Sequence, residues 1–512
     1  MFDAVAPWLT LAILLLFIYS KLKKPSNLPP GPPASMLGDN TRDVPAIRPW
    51  RTFMEWRKRY GNVMSFYLGR TPVIVLGSLK AATDLLDKRG NIYSSRPRNI
   101  VAGDIYSGGM RGISMPYGKP WRNWRSLMQA GMSVDASKTY EILQSIESKI
   151  LLRDLLHAKD VGDYLRHIRR FSASIVFCVS YGRRLASLDD EVISTTQKIE
   201  ECILPGKFIV ESWPILLALP RFLQWFRWDP EKRRSEDTEF YLSLMNSVRD
   251  RMKLGIAQPC TATRALHKQA DFGLDDIQSA YALSAPSQAG VGTVRHFTIL
   301  NIRLYKVAMI LFPDAMRKAQ AELDIIVGMD TLPGFEHEPS LTYLQALIKE
   351  TLRWRAIVPT GLPHSTIADD VYEGMYIPKG STVYANIYAM TRDPEMFPEP
   401  DNFRPERFLN TDDARLANYT INFGFGRRIC PGMHVANRSL FIFISRVLWA
   451  FDIVPPKRAD GKPILPPSDD FTTGLTSHPK PFGYSFVPRR AGVEPIIMKE
   501  ALQAEMDAAA WM

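Results

Sequence analysis

The order of apolar and polar positions divides this chain into an apolar lead, a proline-rich joint and a long, mostly helical body. Val5 to Ser20 contain no charged residue, and from Phe2 to Leu22 the run approaches the ~20 apolar residues that span a bilayer. Lys21, Lys23 and Lys24 follow it and only Asp3 precedes it. That order predicts a transmembrane anchor over 2–22 rather than a cleaved signal peptide, with the remainder of the chain on the cytosolic side. Pro25 to Pro33 read Pro-Ser-Asn-Leu-Pro-Pro-Gly-Pro-Pro, a stiff stretch that places a linker over 23–45. Val63–Leu68 and Thr71–Leu76, separated by Gly69-Arg70, predict two strands and a turn. From about Glu141 onward the apolar period is helical, and Ala315–Val327 and Leu344–Trp354 are the clearest amphipathic helices. Tyr372–Pro378 and Thr382–Ala385 predict a short hairpin. After Arg490 the tail 491–512 is rich in alanine and methionine and suits a helix.

The C-terminal half shows no linker, so 46–490 reads as one large domain. Hydrophobic residues make up 46% of the chain, ample for a core of that size. Four cysteines in 512 residues form no disulfide framework and point to a reducing compartment. The formal charge of +11 favours an acidic protein partner or an anionic membrane surface. The basic residues are spread along the chain without a binding motif, which argues against a nucleic-acid partner.

The densest chemistry lies in Phe423-Gly424-Phe425-Gly426-Arg427-Arg428-Ile429-Cys430-Pro431-Gly432. Pro431 suits the first position of a following helix, which predicts Cys430 at its N-cap. Free backbone N–H groups and the helix dipole there favour thiolate over thiol. The glycines allow backbone to approach a flat ligand, and Arg428 could reach an anionic group. Such a thiolate suits an axial haem ligand. A zinc reading of Cys430 with His434 is weaker, because Cys178, Cys202 and Cys260 are scattered and supply no second ligand pair.

This segment resembles the haem-binding signature of the cytochrome P450 family, Phe-x-x-Gly-x-Arg-x-Cys-x-Gly, with Phe423, Gly426, Arg428, Cys430 and Gly432 at its specified positions. Further segments are similar to family motifs in the expected order. Glu350-Thr351-Leu352-Arg353 matches Glu-x-x-Arg, and Phe403–Phe408 matches its partner segment, which implies a buried structural network of Glu350, Arg353 and Arg407. Trp121 and Arg125, in Tyr117–Arg125, resemble residues that meet a haem propionate; the resemblance extends this role to His364 and Arg428. Phe423 and Gly424 would border the cofactor. Ile357–Leu362, the loop Ile100–Pro116 with Ile105, Tyr106 and Met110, and the turn Phe471–Leu475 look like pocket walls. Phe208–Trp228, with six aromatic residues or more interleaved with Arg221 and Arg227, looks like a membrane-dipping lid, although a packed helix fits the same composition.

The resemblance covers roughly Leu28 to Pro488. It implies a mostly α fold with small β-sheets, the cytochrome P450 fold, holding haem b with Cys430 as the thiolate ligand of its iron. It implies a monooxygenase that inserts one oxygen atom of O2 into an apolar small molecule, a secondary metabolite or aromatic xenobiotic by likeness to fungal members. Electrons would come from NADPH through cytochrome P450 reductase, at the endoplasmic reticulum membrane.

One motif departs from the pattern. Ala289-Gly290-Val291-Gly292-Thr293-Val294 keeps the oxygen-side Thr293, but Gly292 stands where an acid is expected. The stretch from Thr293 to Pro313 is also about one helical turn longer than expected. Proton delivery through water, Thr293 and Gln288 or Ser287 is one explanation. Others are a haem-thiolate isomerase or dehydratase, a haem-binding pseudoenzyme with impaired oxygen activation, and a misread gene boundary.

Overall fold

Helix α1 (Pro49–Tyr60) leads into β1 (Val63–Leu68) and β2 (Thr71–Leu76), which pair antiparallel across the Gly69-Arg70 turn as the apolar pattern predicts. The computed structural model of the chain describes residues 27–34, 39–201, 208–291 and 297–511. The apolar segment Phe2–Leu22 lies outside them. Among the described residues, no helix is long and apolar enough to cross a membrane. The proline-rich segment is strapped to the first strand: the Ser65 N–H donates to the Pro30 carbonyl (2.9 Å) and its hydroxyl to that of Pro29 (2.5 Å).

The longer helices that follow are α2 (Lys119–Met132), α3 (Glu141–His157), α4 (Val161–Tyr181), α5 (Glu191–Glu201), α6 (Trp228–Lys253), α7 (Asp276–Val291), α8 (Phe297–Leu311), α9 (Pro313–Ile326) and α10 (Thr342–Trp354). The limits of α9 and α10 agree with the two amphipathic helices read from periodicity. After them come β3 (His364–Ser365), β4 (Asp370–Tyr372), β5 (Met375–Ile377), β6 (Thr382–Ala385), helix α11 (Met433–Ala450), β7 (Phe451–Val454), β8 (Ser485–Pro488) and a final helix α12 (Val493–Ala508). The fold is mostly α with small sheets.

The expected hairpin closes earlier than its composition suggests. β4 pairs with β5, not with β6, because Glu373 (φ 49°) and Gly374 (φ 78°) make a two-residue turn of the hand that matches strand twist. β6 instead runs parallel to β2 and antiparallel to β3, giving a mixed sheet in the order β1-β2-β6-β3. This pairing carries His364 into the interior.

Helix α12 joins the body through a stripe of small residues. Ile497, Ala501, Ala504 and Ala508 are buried at helical spacing, and Ala504 and Ala508 pack on Ile146 and Ile150 of α3. Lys149–Glu500 (2.7 Å) and Arg153–Glu505 (2.6 Å) flank the seam. Trp511 closes it, packed on Leu143 and Cys178, while its carbonyl accepts from the Arg184 N–H (2.9 Å).

A pair on one helical turn and an arginine more than fifty positions later fix the region ahead of the glycine-rich loop. Glu350 and Arg353 are fully buried and form a two-bond ion pair (2.7 and 2.8 Å), one turn apart on α10. Arg407 reaches the same carboxylate at 3.2 Å, and the Arg404 N–H donates to it at 2.7 Å. Arg353 also donates to the carbonyls of Thr391 (2.9 Å) and Pro400 (2.8 Å), and Arg407 to those of Pro398 (3.0 Å) and Asn402 (3.2 Å). The network therefore holds residues 391–407 against α10. The side chain of Asn422, one residue before Phe423, continues the attachment by donating to the Leu352 carbonyl.

Glu350→Ala leaves two buried guanidiniums without their carboxylate and is expected to cost about 3–5 kcal/mol, read as a fall in thermal midpoint. Trp511→Ala opens the end of the α12 seam and is expected to cost about 3 kcal/mol in the same assay, with α12 turning protease-sensitive first.

Candidate active site

The loop that carries Cys430 is shaped by backbone contacts before any side chain acts. The Cys430 N–H donates to the Phe423 carbonyl (2.9 Å), closing the loop on itself. Gly426 has φ +54°, and a Cβ there would lie 2.1 Å from the Leu86 carbonyl oxygen, so only glycine fits. Helix α11 begins at Met433 with Gly432 as its N-cap, which corrects the expectation that Pro431 starts the helix and Cys430 caps it. The physical cause is a turn at Cys430–Gly432, marked by a 3.4 Å contact from the Met433 N–H to the Cys430 carbonyl.

The electrostatics at the sulfur also differ from the expectation. The Cys430 side chain has accessible surface, yet protein encloses it on a larger scale, so the sulfur lies within the fold rather than on its outer face. That burial pushes the thiol up, against the opposing pull of the Gly432 backbone N–H and Arg125. Backbone dipole and Arg125 alone do not make a thiolate here; a metal ion that replaces the thiol proton does. Cys178 and Cys260 are fully buried, and Cys202 lies outside the described residues.

Around this loop the structure gathers four of the expected residues and one that the sequence did not single out. Arg428 donates to the carbonyls of Ser94 (2.7 Å), Gly112 (3.0 Å) and Met115 (2.6 Å), and its guanidinium lies 4.2 Å over the Trp121 ring. Arg125, one turn from Trp121 on α2, donates to the Ile429 carbonyl (2.7 Å). His364 meets the Tyr93 carbonyl through Nδ1 (2.8 Å), so the neutral ring has its N–H on Nδ1. Its Nε2 becomes a donor only with a second proton. Arg96 is the addition: it donates to the carbonyls of Leu362 (3.1 Å) and Pro363 (2.7 Å), and its Nε is buried without a partner. A lone arginine before a proline carries no signal in sequence; only the fold brings it beside Arg428 and His364.

Among the described residues, none of Arg96, Arg125 and Arg428 forms an ion pair with a carboxylate. Burial lowers Arg96 to about 10; burial and the fields of Arg96 and Arg125 lower Arg428 to about 9. His364 falls to about 3 through burial and the fields of Arg96 and Arg428, against the bond to Tyr93. Three cations that repel one another in the interior are stabilised by an anion placed among them. A sulfur ligand at one side and an uncompensated cluster of guanidiniums at the other fit a group that offers a soft metal and carboxylates together, as haem does.

The walls also assemble. The Ser477 N–H donates to the Ile357 carbonyl (2.8 Å), tying the turn after Phe471 to the loop after α10. Ile105 packs with Val210 and Phe226, and Met110 and Tyr106 join the core beneath α2 and α6. Gly112 passes so close to Trp124 that a Cβ would overlap its ring. Thr293 and Gly292 lie outside the described residues. On α7, the Ser287 hydroxyl donates to the Ser284 carbonyl (2.9 Å) of its own helix, while Gln288 bonds to Arg111 and Ser284. Phe208–Trp228 is not one packed helix: it is a short helix, Ile209–Ser212, and three 3-10 turns, with Trp213, Ile215, Phe222, Trp225 and Trp228 exposed.

The architecture and the sequence both have known counterparts. A family model described as Cytochrome P450 matches residues 29–486. Cytochrome P450 monooxygenase 58 of Postia placenta is 38% identical over 496 residues, covering 94% of this chain and 93% of its own. A cytochrome P450 monooxygenase of Armillaria gallica is 36% identical over 517 residues, covering 98% of this chain and 99% of its own. A zebrafish cytochrome P450 solved with progesterone shares the fold, with a TM-score of 0.70 at 22% identity over 86% of this chain and 100% of that one. Signature loop, fold and relatives agree: the chain belongs to the cytochrome P450 family of haem-thiolate monooxygenases.

Proposed function

We propose that this protein is a membrane-associated monooxygenase acting on an apolar small molecule, with haem b held by Cys430 and by the cation cluster of Arg96, Arg125 and Arg428. The observation that carries this reading is the pairing of one enclosed, accessible sulfur with three half-buried guanidiniums that lack a carboxylate among the described residues. When bound, the haem supplies the oxygen chemistry. The protein's own residues position it and shape its surroundings. Cys430 would supply the sulfur ligand of the iron, and the closed loop from Phe423 holds that sulfur in place. Arg96, Arg125 and Arg428 receive the propionates; Trp121 supports Arg428 from below. A propionate beside His364 favours the second ring proton and turns Nε2 into a donor. Ile357–Leu362 and the turn after Phe471 exclude water from the substrate side. Thr293 stands in the sequence where the family places its oxygen-side hydroxyl. Because Gly292 precedes it in the sequence where the family has an acid, proton delivery would use water and Thr293.

Electrons come from NADPH through a flavoprotein reductase, as for family members anchored to the endoplasmic reticulum. The uncharged run Val5–Ser20 supports the anchor, and the exposed aromatic surface of Phe208–Trp228 supports a second contact with the bilayer. Trp213, Phe222 and Trp228 are 63%, 73% and 64% exposed, and Arg221 and Arg227 stand among them. Aromatic rings with interleaved arginines suit the headgroup layer.

The reduced protein with carbon monoxide is expected to give a strongly red-shifted Soret band that Cys430→Ala abolishes. A folded protein without that band overturns the assignment. A variant lacking residues 1–26 is expected to retain binding to anionic phospholipid vesicles in flotation. Trp213→Ser with Phe222→Ser should weaken that residual binding about tenfold or more, given two exposed aromatic anchors.

A further inference from the structure

A cavity of about 300 Å3 opens where α3, α4, the loop 183–188 and helix α12 meet, and it includes none of the residues assigned above to the haem or the substrate. Four guanidiniums line it, those of Arg153, Arg166, Arg170 and Arg184. Arg170 is only 7% exposed. Its Nη1 donates to Glu147 (2.6 Å). Its Nη2 is buried without a hydrogen-bond partner among the described residues, and the Asp154 carboxylate stands 3.7 Å away, beyond bonding distance.

The acids around this cavity are already committed. Glu147, fully buried, accepts from Arg170, from the Arg184 Nε (2.8 Å) and from the Ser174 hydroxyl (2.7 Å). Asp154 accepts from Arg153 (2.9 Å) and lies 3.5 Å from the His167 ring. Glu505 pairs with Arg153 (2.6 Å), and Asp189 with Arg166 (3.0 Å) on the exposed rim. Four carboxylates thus stand against four guanidiniums, and His167 adds a further cation when it takes a proton. What the cavity lacks is acceptor atoms. Each guanidinium carries five N–H donors, and the enclosed Arg170 Nη2 has no acceptor within reach. An enclosed donor left unmet is costly, and a ligand with several anionic oxygens meets it.

We propose that this cavity is a binding site for a phosphate group, free or carried by a small organic ester, separate from the haem and the substrate. A tetrahedral phosphate offers oxygens in several directions. Guanidiniums from α3, α4 and the 183–188 loop match it better than they match a planar carboxylate, which a single fork satisfies. Ile150, Ala186 and Leu188 supply an apolar wall for an organic group, and the volume is that of a small-molecule site. Glu505 of α12 lines the cavity, and the Arg184 N–H holds the Trp511 carbonyl, so an occupant fastens α12 to the body.

Isothermal titration of the full-length protein with phenyl phosphate, inorganic phosphate and benzoate, in chloride buffer of matched ionic strength at neutral pH, tests this. Phenyl phosphate is expected to fill one saturable site at least about tenfold more tightly than benzoate, the scale of one added charge-assisted contact. Tighter binding of phenyl phosphate than of inorganic phosphate assigns the ester, and equal binding assigns the free ion; both uphold the site. Arg166→Gln, on the exposed rim where the fold does not depend on it, should weaken both phosphates about tenfold and so locate the heat at this cavity. Arg170→Lys, which keeps the charge but loses the second nitrogen, should weaken them at least as much. No saturable heat with either phosphate overturns the inference, as does benzoate binding as tight as that of phenyl phosphate. Phosphate affinity that survives Arg166→Gln unchanged overturns it too.

Discussion

The Arg428 guanidinium is the contact on which the site depends. One side chain binds the carbonyls of Ser94, Gly112 and Met115 and rests on the Trp121 ring, so it joins the cysteine loop, the wall loop and α2. It does so as a half-buried cation without a carboxylate partner among the described residues. Three carbonyl dipoles and an aromatic face offset part of its desolvation, yet its proton affinity is lowered further by Arg96 and Arg125. The same residue that organises the loop therefore leaves a positive field for a bound anion. Structure and cofactor demand are one feature seen from two sides.

The Glu350–Arg353–Arg407 network solves the opposite problem. Its two guanidiniums share the Glu350 carboxylate and spend their other donors on carbonyls of the 391–402 stretch, so it acts as a rigid tie. One buried cluster thus has a carboxylate at its centre, and the other, of Arg96, Arg125 and Arg428, has none among the described residues.

Legibility in sequence followed the range of the interaction. The strands Val63–Leu68 and Thr71–Leu76, the helices α9 and α10 and the Glu-x-x-Arg pair rest on contacts within one or two turns of chain, and their limits were readable. The 372–385 hairpin was misread because the Glu373-Gly374 turn competes locally while β6 finds its partner near residue 74. The start of α11 was misread because a turn at Cys430 wins over the proline preference. Tail helix α12 was readable as a helix, but its seat on α3 was not, since buried alanines look like ordinary helix formers.

By itself the sequence carried the family resemblance and the thiol on a glycine-rich loop, and that resemblance singled out Trp121, Arg125, His364 and Arg428. Only the tertiary structure decided the state of those groups. It brought Arg96 from a plain loop into the cluster, pushed the Cys430 thiol up, and set the histidine tautomer through the Tyr93 carbonyl. It also joined Arg111 to Gln288 across 177 positions. Burial, mutual repulsion of cations and long-range hydrogen bonding depend on which surfaces meet, and no local pattern encodes that.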